Sequence, residues 1–234
     1  MLNSFARRGF EIGREMKAVV RQGQLISQGQ RGMRGVGHAS GQGERLVVFV
    51  HGFMARGPVF DPMRRRVEAF TREDLREVET LDLSYGPLDR FDVVCERAQT
   101  IIRAHAKDRP VTLVGHSLGG LISRWVVQEM RLKSVDRLIT LASPHAGTRA
   151  ASIGVSPLLQ AIQPGSAIVT RLARETDALR EVTCTALVAG RDRMITPPSS
   201  SGEFPGAEVI WMDDLGHNEM LFDSRVIELV AKRV

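Results

Sequence analysis

The chain has 234 residues, 43% of them hydrophobic and 25% charged, with a formal net charge of +5. That is enough length for one substantial α/β core or two small ones, and two cysteines exclude a disulfide framework. No run approaches the roughly 20 apolar residues that cross a bilayer, and the basic excess is interleaved with acids rather than gathered into an aromatic-bearing stripe, which argues against a nucleic-acid partner.

At the N-terminus, Leu2, Phe5, Ile12, Met16, Val19 and Val20 recur at helical spacing with arginines between them. The stretch contains neither a continuous apolar core nor a small-residue cleavage site, so it reads as no secretory signal and the expected location is the cytoplasm. Three roles stand open for this helix: packing on the domain, binding a partner, or peripheral contact with a membrane surface. Packing is the reading we favour. Glycine-rich sequence from Gly29 to Gly43 follows and reads as a linker. Residues 1–44 are therefore set apart from a main domain of residues 45–234.

From residue 45 short apolar runs alternate with helical patterns. Strands are expected at 46–50, 78–83, 111–115, 135–143, 184–190 and 207–213, with helices around 59–70, 91–106, 121–132 and 224–233. Strands that are apolar throughout and separated by helices imply a mostly parallel sheet covered on both faces. The interval 149–180 breaks this alternation with about 30 residues where a short crossover suffices. Ser166, after Pro164-Gly165, is placed to cap a helix there, and the insertion is expected to lie as a lid over the carboxyl edge of the sheet.

The segment "VTLVGHSLGG" (111–120) carries the chemistry. A serine hydroxyl needs a base and an exposed, strained position to act as a nucleophile. Gly115 and Gly119, two residues to either side of Ser117, let a strand and a helix close on such a turn. The helix then presents its first N–H groups to developing negative charge. In this order of elements the acid follows the serine and the histidine follows the acid. Of six histidines, His217 in "DLGHNEM" lies between the last strand and the last helix and is the candidate base. Asp192 in "AGRDRMITP" is the candidate acid, ahead of Asp213 and Asp214. His51 and His145 read as loop-orienting, and His116 as part of the pocket wall. Oxyanion donors, each worth roughly 3–4 kcal/mol, are expected from the backbone N–H groups of Leu118 and Phe53.

These pieces, together with "VFVHGF", "LASPHAGT" and "LGHNEM", resemble the α/β-hydrolase superfamily and, within it, bacterial triacylglycerol lipases and esterases. The resemblance runs from about residue 45 to the C-terminus. It implies hydrolysis of an apolar or lipid-like acyl ester through an acyl-enzyme, with Ser117, Asp192 and His217 as the triad and no cofactor or metal. The chain is shorter than secreted lipases and lacks their calcium-binding aspartate pair. Two other readings stand beside this one: acyl transfer or thioester hydrolysis by the same triad, and a hydrolase fold used only for binding. Oligomeric state is not legible in the sequence.

Overall fold

The computed structural model describes residues 2–31, 43–74 and 76–234. Most of the expected Gly29–Gly43 linker lies outside the described residues. Its first three positions belong instead to the N-terminal helix, α1, which runs Leu2–Arg31.

Six parallel strands follow: β1 (Arg45–Val50), β2 (Val78–Leu83), β3 (Val111–His116), β4 (Val135–Leu141), β5 (Thr183–Ala189) and β6 (Glu208–Met212). Their spatial order is β2-β1-β3-β4-β5-β6. Helices α2 (Asp61–Glu73), α3 (Phe91–Ala106), α4 (Leu118–Gln128) and α7 (Ser224–Ala231) form the crossovers and the C-terminal cover. The architecture is the α/β-hydrolase fold, a parallel sheet clad on both sides.

Successive strand side chains point to opposite faces, and β1 shows what this requires. Leu46, Val48 and Val50 enter one apolar core with α3 and α4. Val47 and Phe49 enter the other, with Val59, Phe60, Val67 and Val226. Both faces are dry, so the strand must be apolar at every position. From β1 the chain moves outward to β2, then returns past β1 to β3, pairing Val50 with Gly115. The carboxyl ends of β1 and β3 thus face a topological switch point, where departing loops diverge and leave a crevice.

Between β4 and β5 stand two short helices, α5 (Pro157–Ala161) and α6 (Ala167–Arg174), each flanked by a 3-10 turn. Ser166 caps α6, its hydroxyl accepting the Val169 N–H at 3.2 Å. The segment is fastened to the body by polar contacts, one buried and one partly so. Arg124 on α4 donates to the Leu172 carbonyl at 2.7 Å, and Ser156 donates to the Pro87 carbonyl at 2.6 Å. Among the described residues no helix is long and apolar enough to cross a membrane.

Candidate active site

Ser117 stands between β3 and α4 with φ 55° and ψ −125°, the left-handed side of backbone space that a non-glycine residue rarely enters. Its flanking glycines have a steric cause. A Cβ on Gly115 would lie 2.5 Å from the Gly120 Cα, and one on Gly119 would lie 2.0 Å from the Val50 carbonyl oxygen. Any side chain at either place would drive α4 away from the sheet. The Ser117 N–H donates to the Leu141 carbonyl at 2.8 Å, fixing the turn against β4.

Beside the serine runs the loop after β1. A Cβ on Gly52 would meet the Ser117 Cβ and the His116 ring at 3.1 Å, a contact tight enough that either neighbour would have to give way by a few tenths of an ångström. His51 anchors this loop. Its Nδ1 donates to the Gly52 carbonyl at 2.8 Å, its Nε2 accepts the Tyr85 N–H at 3.4 Å, and its ring stacks on Tyr85 at 4.3 Å. Tyr85 also donates its hydroxyl to the His51 carbonyl at 2.5 Å. Burial pushes the His51 imidazole down to about 4, so it stays neutral. The Phe53 and Leu118 N–H groups make no hydrogen bond among the described residues. The latter is an orphan of the first helical turn.

On the far side of β4 the Asp192 carboxylate divides its two oxygens. Oδ1 accepts the Met194 and Ile195 N–H groups, each at 2.8 Å. Oδ2 accepts the His217 Nδ1–H at 2.7 Å. The side chains are 0% and 3% exposed, so the bond is shielded from water. His217 opens a 3-10 turn, Asn218–Leu221, after β6. Its carbonyl accepts His116 Nε2 at 3.2 Å, and the two rings stand 4.7 Å apart. His217 therefore rests on the neighbour of Ser117. Among the described residues no hydrogen bond joins the Ser117 hydroxyl to the His217 ring, a contact that in hydrolases often tightens only around substrate.

Of the rival acids, Asp214 is engaged elsewhere. Asp214 pairs at the surface with Arg225 at 2.9 Å and with Arg14 at 3.8 Å. Buried His145 hydrogen-bonds Thr140 at 3.0 Å and serves the loop after β4. Cys95 and Cys184 are buried free thiols. No cluster of three or more His, Cys, Asp or Glu side chains fit to hold a metal occurs among the described residues. Two contributors escape a reading of the sequence. Tyr85 is the chain's only tyrosine and ends a strand, a signal that could have drawn attention to it. Glu15, which reaches the His217 loop from α1, carries no such signal.

A family model described as palmitoyl protein thioesterase matches residues 47–179. The match takes in Phe53, Ser117 and Leu118 and ends before Asp192 and His217. Over 88 residues the chain is 30% identical to the GPI inositol-deacylase of Candida albicans, a stretch covering 36% of this chain and 22% of that protein. Among solved structures, Aspergillus fumigatus lipase B superposes with a TM-score of 0.68 at 15% identity, covering 83% of this chain and 53% of the lipase. Phospholipase PlaB from Legionella pneumophila gives 0.56 at 18% identity, covering 63% of this chain and 39% of PlaB. The chain thus spans only a part of each of these proteins, and the two structural likenesses are of fold. The chain belongs to the palmitoyl protein thioesterase family, and its fold is that of the α/β-hydrolases.

Proposed function

We propose that this chain is a serine hydrolase that cleaves apolar acyl esters or thioesters through Ser117, His217 and Asp192. The observation that carries the reading is the dry Asp192–His217 hydrogen bond, at 2.7 Å, resting on the residue next to a serine held at positive φ. In the cycle, His217 Nε2 takes the Ser117 proton as Oγ attacks the acyl carbonyl. The oxyanion is met by the Leu118 and Phe53 N–H groups. Asp192 holds the imidazole in its Nδ1–H tautomer and offsets the positive charge that forms. His217 then gives its proton to the leaving alcohol or thiol, and the acyl group remains on Ser117. A water molecule repeats the attack, and Ser117 regains its proton.

Thioester hydrolysis is favoured over simple ester hydrolysis by one observation, the family match across residues 47–179. A thiol leaves far more readily than an alcohol because its pKa lies near 8.5, so the thioester reaction leans less on His217 as an acid. Residues 149–180 serve in this reading as a lid over the acyl side of the crevice. Turnover of a p-nitrophenyl palmitate and of an S-palmitoyl peptide by the same preparation distinguishes the two substrates. Labelling by a fluorophosphonate that vanishes in Ser117→Ala supports the serine mechanism, and persistent labelling or turnover in that variant would remove it.

A further inference from the structure

Helix α1 lies outside the region matched by the family model, yet it touches the loop that bears His217. Glu15 Oε1 accepts both the backbone N–H of Asn218, at 2.9 Å, and its side-chain amide, at 2.7 Å. The other oxygen of Glu15 is buried with no hydrogen-bond partner. It faces Gly216, where a Cβ would stand 2.5 Å from it. Arg14 adds a second hold, donating to Glu219 Oε1 at 2.6 Å. Glu219 Oε2 in turn accepts the Gly216 N–H at 2.7 Å. Both chain neighbours of His217 are therefore tied to α1, directly or through one side chain. Met16 and Val19 of the same helix, with Met194 and His217, wall an adjoining cleft of about 230 Å³.

We propose that Glu15 is a positioning residue for the base, and that α1 is thereby part of the active site. The proposal rests on His217 acting as that base. Asp192 fixes only the Nδ1 edge of the ring, and His116 fixes only the carbonyl of residue 217. The peptide between residues 217 and 218 is held at its carbonyl by His116 and at its N–H by Glu15. Glu15 supplies that hold from about 200 residues away in sequence. Displacements of the order of 1 Å in a catalytic group can cost about 100-fold in rate.

The test uses the full chain, with p-nitrophenyl butyrate turnover and fluorophosphonate labelling as readouts and thermal melting as the control. Glu15→Ala is expected to lower kcat by about 10- to 100-fold per labelled serine, with KM within about twofold. Glu15→Gln keeps one oxygen acceptor for Asn218 and should recover most of that loss. Gly216→Ala should lower kcat in the natural chain but add less than about twofold in the Glu15→Ala background, because its methyl then has room. An unchanged kcat in Glu15→Ala, or a loss that follows melting temperature while kcat per labelled serine holds, overturns the proposal and leaves the Ser117 mechanism standing. Turnover that survives Ser117→Ala removes both.

Discussion

The two sides of the catalytic rim are built differently. On the β1–β3 side, Ser117 and the proposed oxyanion donors at Phe53 and Leu118 lie within a few residues of buried strands, and glycines at 115 and 119 admit contacts that any side chain would forbid. On the β5–β6 side, Asp192 is held by the N–H groups of Met194 and Ile195 and by His217, while the loop of His217 depends on residues far away in sequence: His116 and, through Asn218, Glu15. One half is held by steric exclusion close to the backbone. The other is held by polar contacts, of which the distant ones can each be removed by a single substitution.

That contrast can be broken or sharpened by substitution, beginning with the largest expected effect. Ser117→Ala should lower kcat/KM by roughly 10⁴-fold or more, with the melting temperature nearly unchanged. Steady-state kinetics with calorimetry checks it. Asp192→Asn should cost about 10³- to 10⁴-fold, because an amide favours the wrong imidazole tautomer. A pre-steady-state burst of product shows whether acylation is the slowed step. Gly119→Ala should cost at least 1–3 kcal/mol of stability by pressing a methyl on the Val50 carbonyl, and activity should fall with it. A soluble, fully active Gly119→Ala enzyme would contradict the steric account of the elbow. Phe53→Ala should change kcat by less than about tenfold, since the backbone N–H rather than the ring serves the oxyanion.

Acid offers a test that reaches the whole rim. His51, His116 and His145 stand at or just past the carboxyl ends of β1, β3 and β4, and all three have pKa values lowered first by burial. Below about pH 6.5 the unfolded chain takes up protons that these rings refuse, so folding stability falls as pH falls. For His51 the loss continues toward about 4. Each ring contributes up to ~1.4 kcal/mol per pH unit in that window. Asp82, whose buried carboxyl is raised by desolvation, acts in the opposite sense. The melting temperature should drop between pH 7 and pH 5, and a flat profile would mean these imidazoles gain protons while folded.

The sheet was readable because burial on both faces leaves an unbroken apolar run in each strand, as in "LVVFV". The elbow was readable because its steric demands fall on neighbouring positions. Helix α4 began at Leu118 rather than the expected 121, because the turn at Ser117 passes directly into it. The end of α1 differs in the other direction: Gly29 reads as a breaker, yet the helix continues to Arg31. Asp192 and His217 could be named as candidates from chain order, but nothing near His217 in sequence says what holds its loop. Glu15 beside Asn218 is a polar residue in ordinary surroundings, and only long-range contact gives it meaning; the sequence flags Tyr85 and His116 but not the contacts they make beneath the loop after β1 and under His217.

By itself the sequence determined the parallel sheet, the order of its strands and helices along the chain, and the strained turn at Ser117, because those follow from periodicity and from steric conflicts between near neighbours. The tertiary structure alone decided which strands lie side by side, which oxygen of Asp192 meets His217, and which helix clasps the loop around it. Hydrogen bonds between residues up to 205 positions apart leave no periodic trace in a sequence, since their geometry exists only once the chain has closed on itself.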